Sequence, residues 1–249
     1  MAVFKFSLVT ICKNAEKDIR RTLQSVATQN YHNVEYIIID GGSSDRTCEE
    51  IDRFKDGINY FVSEPDKGIY HAMNKGLSKA SGDFVFFLNA GDILFNSSVL
   101  FHINRTINSF NCQDIDIFHG KVIMYYDYSG DGYLWESGPY GRFKGYRGCL
   151  PHQSTFYNKK AFEKNGLFDE GFKIAGDYEW LIRGVMKNSL KLKYIDIITA
   201  VFYQGGISNR PEFLTDHKNE KKRLITFYYP FPLRIIFSIL NRMRKILGL

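Results

Sequence analysis

The sequence has few cysteines: Cys12, Cys48, Cys112 and Cys149 are the only four in 249 residues, and no two stand two or three positions apart. That spacing excludes a zinc-finger or Cys-x-x-Cys redox motif, and sparse thiols suit a reducing compartment. No low-complexity linker and no internal repeat interrupts the chain. Gly-x-Gly-x-x-Gly and Gly-x4-Gly-Lys-Ser/Thr are both missing, which removes the main support for a dinucleotide dehydrogenase or a P-loop enzyme. No uncharged apolar run reaches the ~18 residues that a membrane-spanning helix requires. The apolar start up to Cys12 is broken by Lys5 and lacks a small-residue cleavage site, so it reads as a first strand rather than a secretion signal.

What is present is an ordinary globular mixture, with 44% hydrophobic and 24% charged residues. Disordered and collagen-like classes are thereby excluded. Aromatic residues reach 16%, which suits a protein that offers flat surfaces to a ligand. The net charge of +6 is uneven: eight basic residues against Glu220 give residues 217–249 a charge of +7, so the rest carries −1. The expected organisation is one domain over residues 1–215 and a basic C-terminal segment over 216–249.

Strand and helix signals alternate through the first half. Strands are expected at 4–11, 34–40, 58–62 and 84–88, with helices at 15–28, 45–54 and 69–80 between them. This order predicts an α/β fold with a mainly parallel, mixed central sheet and helices on both faces. The second half is less regular, with strands at 115–118 and 121–126, a hairpin over 126–136, a loop over 138–149 and a helix over 177–186. Parallel sheets bind ligands at the carboxyl ends of their strands. Those ends, at residues 10–14, 40–45, 64–67 and 89–92, are all polar, and three of them carry acids.

Seven motifs occur in order. They are Thr10-Ile-Cys-Lys-Asn14, Asp40-Gly-Gly-Ser-Ser-Asp45, the run from Ser63 through Asp66-Lys67-Gly68 and Asn74-Lys75 to Gly76, Phe87-Leu-Asn-Ala-Gly-Asp92, His152-Gln153, Gly176-Asp-Tyr-Glu179 and Gly205-Gly-Ile-Ser208. The ordered set resembles family 2 glycosyltransferases of the GT-A fold, over roughly residues 4–210. The likeness is to the bacterial subgroup that builds capsule, exopolysaccharide and O-antigen repeat units.

The resemblance implies roles. Asp40 is similar to the family's nucleotide-binding acid, with Thr10 lining the same site. Asn14, Ser43, Asp45, Asp66, Lys67, Asn74, Lys75 and Asn89 fall where the family binds the nucleotide or donor sugar. Asp92 matches the last acid of the metal motif and would hold Mn2+ or Mg2+ against the donor's diphosphate. Asp177 matches the catalytic base. His152 and Gln153 are placed to meet the acceptor or the diphosphate, or else to bond loop backbone. Tyr140 and Tyr146 either stack on an acceptor sugar or fill a loop core. Gly205-Gly206 reads as a tight turn near the site.

These residue types suit the chemistry. Glycosyl transfer passes through an oxocarbenium-like state while the leaving diphosphate gains charge, which a cation and hard oxygen ligands stabilise. A positioned base that deprotonates the acceptor hydroxyl is typically worth ~10²–10⁴-fold. One base and no second nucleophile imply single displacement with inversion. Three departures stand out. The metal motif, Asn89-Ala-Gly-Asp92, has one carboxylate where many relatives have more. Met73 replaces a common Arg, leaving Lys67 or Lys75 to supply the positive charge. His71 stands where Asp is common. Glu179 reads as a solvated charge rather than a partner of the site.

At the C-terminus, Leu233, Ile236, Phe237, Leu240, Met243 and Leu247 form an apolar stripe beside Arg234, Ser238, Asn241 and Lys245. Such a basic amphipathic helix is expected to lie on an anionic membrane surface; the alternative is packing on the protein itself or on a second copy. The body lacks a basic reading surface, so nucleic acid is not an expected partner. The overall expectation is an inverting, metal-dependent glycosyltransferase, cytoplasmic and peripheral on the inner face of the cell membrane. It would move a sugar from a nucleotide-sugar donor, with UDP favoured, to a polyprenyl-diphosphate-linked acceptor. Two alternatives are a sugar nucleotidyltransferase, for which residues 10–17 lack a Gly-rich loop, and a non-catalytic nucleotide-sugar-binding protein, which would have no use for Asp92 and Asp177 together.

Overall fold

Strands β1 (Phe6–Cys12) and β2 (Val34–Asp40) are almost continuously apolar and β-branched, the pattern of strands covered on both faces. They pair in parallel, with Phe6 opposite Val34 and Cys12 opposite Asp40. The computed structural model describes residues 1–126, 130–203 and 211–246. Helices α1 (Ile19–Ala27), α2 (Thr47–Asp52) and α3 (Ile69–Lys79) alternate with β3 (Tyr60–Ser63) and β4 (Phe84–Phe87), which extend the parallel sheet on its two sides. Helix α3 lies so close to β1 that a Cβ on Gly76 would stand 2.4 Å from Val9 Cγ1. The expected helix over 15–28 begins four residues late, because the carbonyl of Ala15 already accepts from Asp18 and Ile19 in a turn.

The second half completes a mixed sheet. Its elements are β5 (Ile93–Leu94), α4 (Val99–Ile107), β6 (Ile117–Tyr125), β7 (Gly132–Glu136), α5 (Arg142–Arg147), β8 (Thr155–Asn158), α6 (Lys159–Asn165), α7 (Gly176–Met186) and β9 (Leu192–Tyr203). The strand order is β3-β2-β1-β4-β8-β6-β9-β5, with β7 on β6. β8 runs antiparallel to β4 and β6, whereas β9 is parallel to β6. The two strands expected at 115–118 and 121–126 are one strand, in which the β6–β9 register shifts around Lys121. The expected hairpin pairs Tyr125 with Gly132, and residues 127–129 lie outside the described residues. The expected 138–149 loop contains α5.

Strand alternation separates two cores. Phe6, Leu8, Ile38, Phe84 and Phe86 face α1 and α4. Val9, Ile37, Ile39, Val85 and Phe87 face α3, α6 and α7. Phe86 stacks on Phe156 at 4.4 Å across the parallel–antiparallel junction. Burying a Phe of this kind contributes about 1.5–3 kcal/mol. A polar clamp closes the sheet's amino end. Buried Glu35 pairs with Lys5 at 2.8 Å and accepts from Ser7, from the Ser81 hydroxyl at 2.6 Å and from the N–H of Gly82 at 2.9 Å. Burial raises its pKa, but these donors outweigh it and bring the carboxyl down to about 2.

The C-terminal segment divides. Helix α8 (Pro211–Tyr228) packs on α7, burying Leu224, Tyr228 and Tyr229 against Tyr178 and Ile182. Its Glu220 accepts from the N–H groups of Lys173, Ile174 and Ala175 just before α7. Helix α9 (Phe231–Ile246) has no fully buried residue. Phe237 touches Phe143, Tyr146 and Tyr229, so it points at the protein and not along the expected free stripe. The exposed apolar face is rotated onto Ile235, Ile236, Ile239, Leu240, Met243 and Ile246. Leu247 lies outside the described residues. Among the described residues no helix is long and apolar enough to cross a membrane.

Candidate active site

The carboxyl ends of β1, β2 and β4 bring three loops together. After β4, the turn Asn89–Asp92 is built by Thr22 of α1. The N–H of Gly91 donates to the Thr22 hydroxyl at 2.9 Å, and that hydroxyl donates to the Asp92 carbonyl at 2.7 Å. Gly91 has φ +102°, a conformation that favours glycine. The turn aims the Asp92 side chain inward, where it is 5% exposed. Gln153 donates to Asp92 Oδ2 at 2.8 Å. Burial pushes the Asp92 carboxyl up to about 6, against the opposing effects of His152, Gln153 and Arg21.

From the other half, α7 supplies Asp177 in its first turn. Asp177 Oδ1 accepts from the N–H of Tyr178 at 2.8 Å and from the Tyr70 hydroxyl at 3.3 Å. The Tyr70 hydroxyl also donates to the Ile174 carbonyl at 2.5 Å, and the ring fills the space above Gly176, where a Cβ would lie 2.6 Å away. Between the two acids stands His152. Its Nε2 is 3.9 Å from Asp92 Oδ2, and its Nδ1 is 3.9 Å from Asp177 Oδ2. Two aspartates 85 positions apart in number therefore face one another across one imidazole. The Asn89 amide donates to His152 Nε2 at 2.9 Å, which puts the neutral ring's proton on Nδ1, towards Asp177.

The donor set around Asp92 is sparse. Among the described residues no group of three or more His, Cys, Asp or Glu side chains is arranged to hold a metal ion. Asn89 Oδ1, however, is buried without a hydrogen-bond partner. One carboxylate and one unpaired amide oxygen fit a divalent cation that takes its remaining ligands from a diphosphate and water.

The other expected site residues divide into groups. Asn14 and Ser43 lash the β1 and β2 loops together: the Asn14 N–H donates to Ser43 Oγ at 2.7 Å and the Ser44 N–H to Asn14 Oδ1 at 2.9 Å. Asp45 accepts from the N–H groups of Glu16 and Thr47 at 3.1 and 3.0 Å. Asp40 is buried and accepts from the Ser43 N–H at 2.8 Å, the Ser63 hydroxyl at 2.6 Å and, more weakly, Cys12 and Cys48. Burial raises its pKa, yet these donors hold it below the usual carboxylate range. Asp66 pairs through Oδ1 with Lys75 at 2.6 Å and His71 at 2.9 Å, while its Oδ2 is buried, unpartnered and close to Gly41. Lys67 is exposed beside them.

Three expectations are corrected by these contacts. Thr10 does not line the site: it is fully buried, and its hydroxyl is occupied by the Leu88 carbonyl at 2.7 Å and Tyr36 at 2.9 Å. Asn74 faces the 168–170 loop, donating to the Phe168 carbonyl and to Glu170 and accepting from the Phe168 N–H. For Tyr140 and Tyr146, where the sequence leaves both readings open, the contacts are those of a loop core. The Tyr140 hydroxyl donates to the Gly148 carbonyl at 2.7 Å, and Tyr146 packs against Tyr229 and Phe237. Glu179 is no solvated charge: it is buried, paired with Arg183 at 3.0 Å, and accepts from Tyr228 at 2.5 Å. Gly205-Gly206 lies outside the described residues.

Two residues escaped sequence reading. Tyr70 buttresses Asp177, and Arg21 places a guanidinium beside Gly91 and over the Tyr203 ring, 4.8 Å from its centroid. Lys75 is committed to Asp66 and to Glu64 at 2.9 Å, and Arg21 pairs with Asp18 beside the Gly91 turn. Arg21 carries no local signal, since only the packing of α1 brings it to the Asp92 turn.

The sequence profile of glycosyl transferase family 2 matches residues 7–108. An uncharacterized glycosyltransferase of Mycobacterium tuberculosis is 32% identical over 190 residues, covering 72% of this chain and 68% of that protein. A PGL/p-HBAD biosynthesis glycosyltransferase of Mycobacterium bovis is 26% identical, covering 84% and 81%. Among solved structures, residues 1–349 of S. aureus TarS superpose with a TM-score of 0.68 at 20% identity, over 91% of this chain and 66% of that one. The TarS complex with UDP-GlcNAc gives a TM-score of 0.64 at 21% identity, over 81% and 59%. A mannosyltransferase from Pyrobaculum calidifontis, in complex with GDP-Man and Mn2+, gives 0.63 at 13%, over 88% and 64%. This chain thus spans about two thirds or less of each of those solved chains. The likeness of the solved structures establishes the fold as GT-A, and the sequence relatives show that the chain belongs to glycosyl transferase family 2, as a glycosyltransferase.

Proposed function

We propose that this glycosyltransferase moves a sugar from a nucleotide-sugar, with UDP the favoured nucleotide, to a lipid-diphosphate-linked saccharide, with inversion, in surface-polysaccharide assembly. The observation that carries the reading is the pairing of Asp92 and Asp177 across His152. The lashed loops at Asn14, Ser43 and Asp45, the Asp40 turn and the Asp66–Lys67 segment form the nucleoside end of the site. Fold relatives bound to UDP-GlcNAc and to GDP-Man with Mn2+ support a nucleotide-sugar donor and a divalent ion. Asp92 and Asn89 Oδ1 would hold that ion, which when bound stabilises charge on the leaving diphosphate. Arg21 adds positive charge on the same side. Asp177 takes the proton of the acceptor hydroxyl, and Tyr70 fixes the carboxylate's direction. His152 Nδ1–H faces Asp177 and steadies the charge there. No second carboxylate stands ready as a nucleophile in this reading, so a single displacement follows. The basic, apolar-faced α9 would hold the enzyme peripherally on the cytoplasmic face of the membrane.

Asp177→Asn tests the base. It keeps the acceptor for the Tyr178 N–H but removes basicity, so turnover should fall ~10²–10⁴-fold with UDP binding unchanged. Turnover within a few-fold of the parent enzyme eliminates the assignment.

A further inference from the structure

The cleft between α8 and α9 lies apart from the acid pair, and none of the seven motifs lines it. It is an open groove of about 770 Å³, a volume in the range that holds organic ligands. Its walls carry Lys218, Lys221, Lys222, Arg234 and Arg242, and no acid stands among the described residues that line it. The apolar side chains of Ile225, Phe231, Ile235 and Ile239 complete the lining. Arg234 packs its guanidinium over the Phe231 ring, 5.6 Å from the centroid, and its Nε is buried without a hydrogen-bond partner. Five cations around one cleft call for an anionic head, and the apolar wall calls for a hydrocarbon chain.

The cleft's position links the exposed apolar face of α9 to the start of α7. Ile235 and Ile239 belong both to the cleft and to the exposed apolar face of α9. At the inner side, Lys221 donates to the Arg147 carbonyl at 2.9 Å and lies 5.7 Å from the centroid of Tyr178, the residue after Asp177. A lipid lying in this cleft would have its tail along the exposed apolar face of α9 and its head next to the first turn of α7.

We infer that the cleft binds the phosphate-bearing end of a single prenyl chain, the lipid through which the acceptor saccharide is presented. This rests on the lipid-linked acceptor reading above and assigns it a place. The test uses the full chain and flotation with three phosphatidylcholine vesicle types: plain, doped with polyprenyl diphosphate, and doped with phosphatidylglycerol to equal charge. The exposed cations are reversed in Lys218→Glu/Lys222→Glu/Arg242→Glu. Each basic side chain at an anionic head is worth several-fold, so the variant should bind polyprenyl diphosphate vesicles about 100-fold more weakly. The parent should prefer them over phosphatidylglycerol vesicles at least about tenfold. UDP titration should be the same for both proteins, showing that the variant is folded. Equal retention by the two anionic vesicles, or unchanged binding of the variant, overturns the cleft assignment. So does inorganic diphosphate competing as well as the lipid, which marks a free-anion site. The two readings fail separately. Undiminished transfer to a lipid-linked saccharide by the variant sinks the cleft alone. Tight lipid binding by a parent enzyme that glycosylates only free saccharides sinks the acceptor reading alone.

Discussion

Replacing Asp92 by asparagine should stabilise the metal-free protein at neutral pH while abolishing its response to Mn2+. Asp92 is 5% exposed, and its carboxyl is pushed from 3.8 to about 6. A folded-state pKa raised by about two units is worth about 3 kcal/mol between the protonation states, at ~1.36 kcal/mol per unit. For an acid raised in this way, the native state binds the proton more tightly than the unfolded chain. The stabilisation is fully present below about pH 4 and is lost as the pH rises through about 6. The amide introduced by Asp92→Asn keeps an oxygen for Gln153 and never ionises, so the variant escapes that loss. Urea unfolding of chelated protein across this range measures it. The difference between parent and variant should grow by about 3 kcal/mol from about pH 4 to about pH 7, in favour of the variant. Added Mn2+ should reverse the order by binding only the parent's folded state, and its affinity should weaken below about pH 6 as protons compete. A pH-independent difference, or one that favours the parent without metal, refutes the picture of a buried, reluctant carboxylate held for a cation.

Three further outcomes are expected. Asp40→Ala removes the acceptor shared by Ser43, Ser63 and Cys12, so calorimetric titration should show UDP affinity reduced at least about tenfold; parent-like binding rules out a role for that turn. Glu35→Gln places an amide among the donors of Lys5, Ser81 and Gly82 and should cost about 2–3 kcal/mol at neutral pH. Because the Glu35 carboxyl is held at about 2, that deficit is present above the ordinary carboxylate range and disappears as pH falls towards about 2, which paired denaturation curves would reveal. Gly176→Ala drives a methyl into the Tyr70 ring, so a loss of about 1–3 kcal/mol in stability should accompany a fall in kcat with KM for the donor preserved.

Much of the fold and part of the site are legible in the chain because their signals are local. The alternating elements of the first half announce a parallel sheet, and strand ends rich in acids announce a ligand edge. Asp92, Asp177 and His152 are named by motif and indeed meet. Thr10 and Asn74 carry motif positions too, but burial gives their polar atoms internal partners, which no spacing reveals. Tyr140 and Tyr146 illustrate the same limit: an aromatic in a loop serves a ligand or a core equally well until its neighbours are known.

By itself the sequence determined the element order of the first half and the two-sided core of its sheet, and it singled out the acids at the strand ends, because periodicity and strand-end position act within a few residues of each other. Only the tertiary structure decided that His152 stands between Asp92 and Asp177, that Arg21 serves the Asp92 turn, and that α8 docks on α7 while α9 keeps an apolar face in the open. Those outcomes depend on contacts between segments tens of residues apart, whose geometry is set by packing of the whole sheet and not by any stretch of chain.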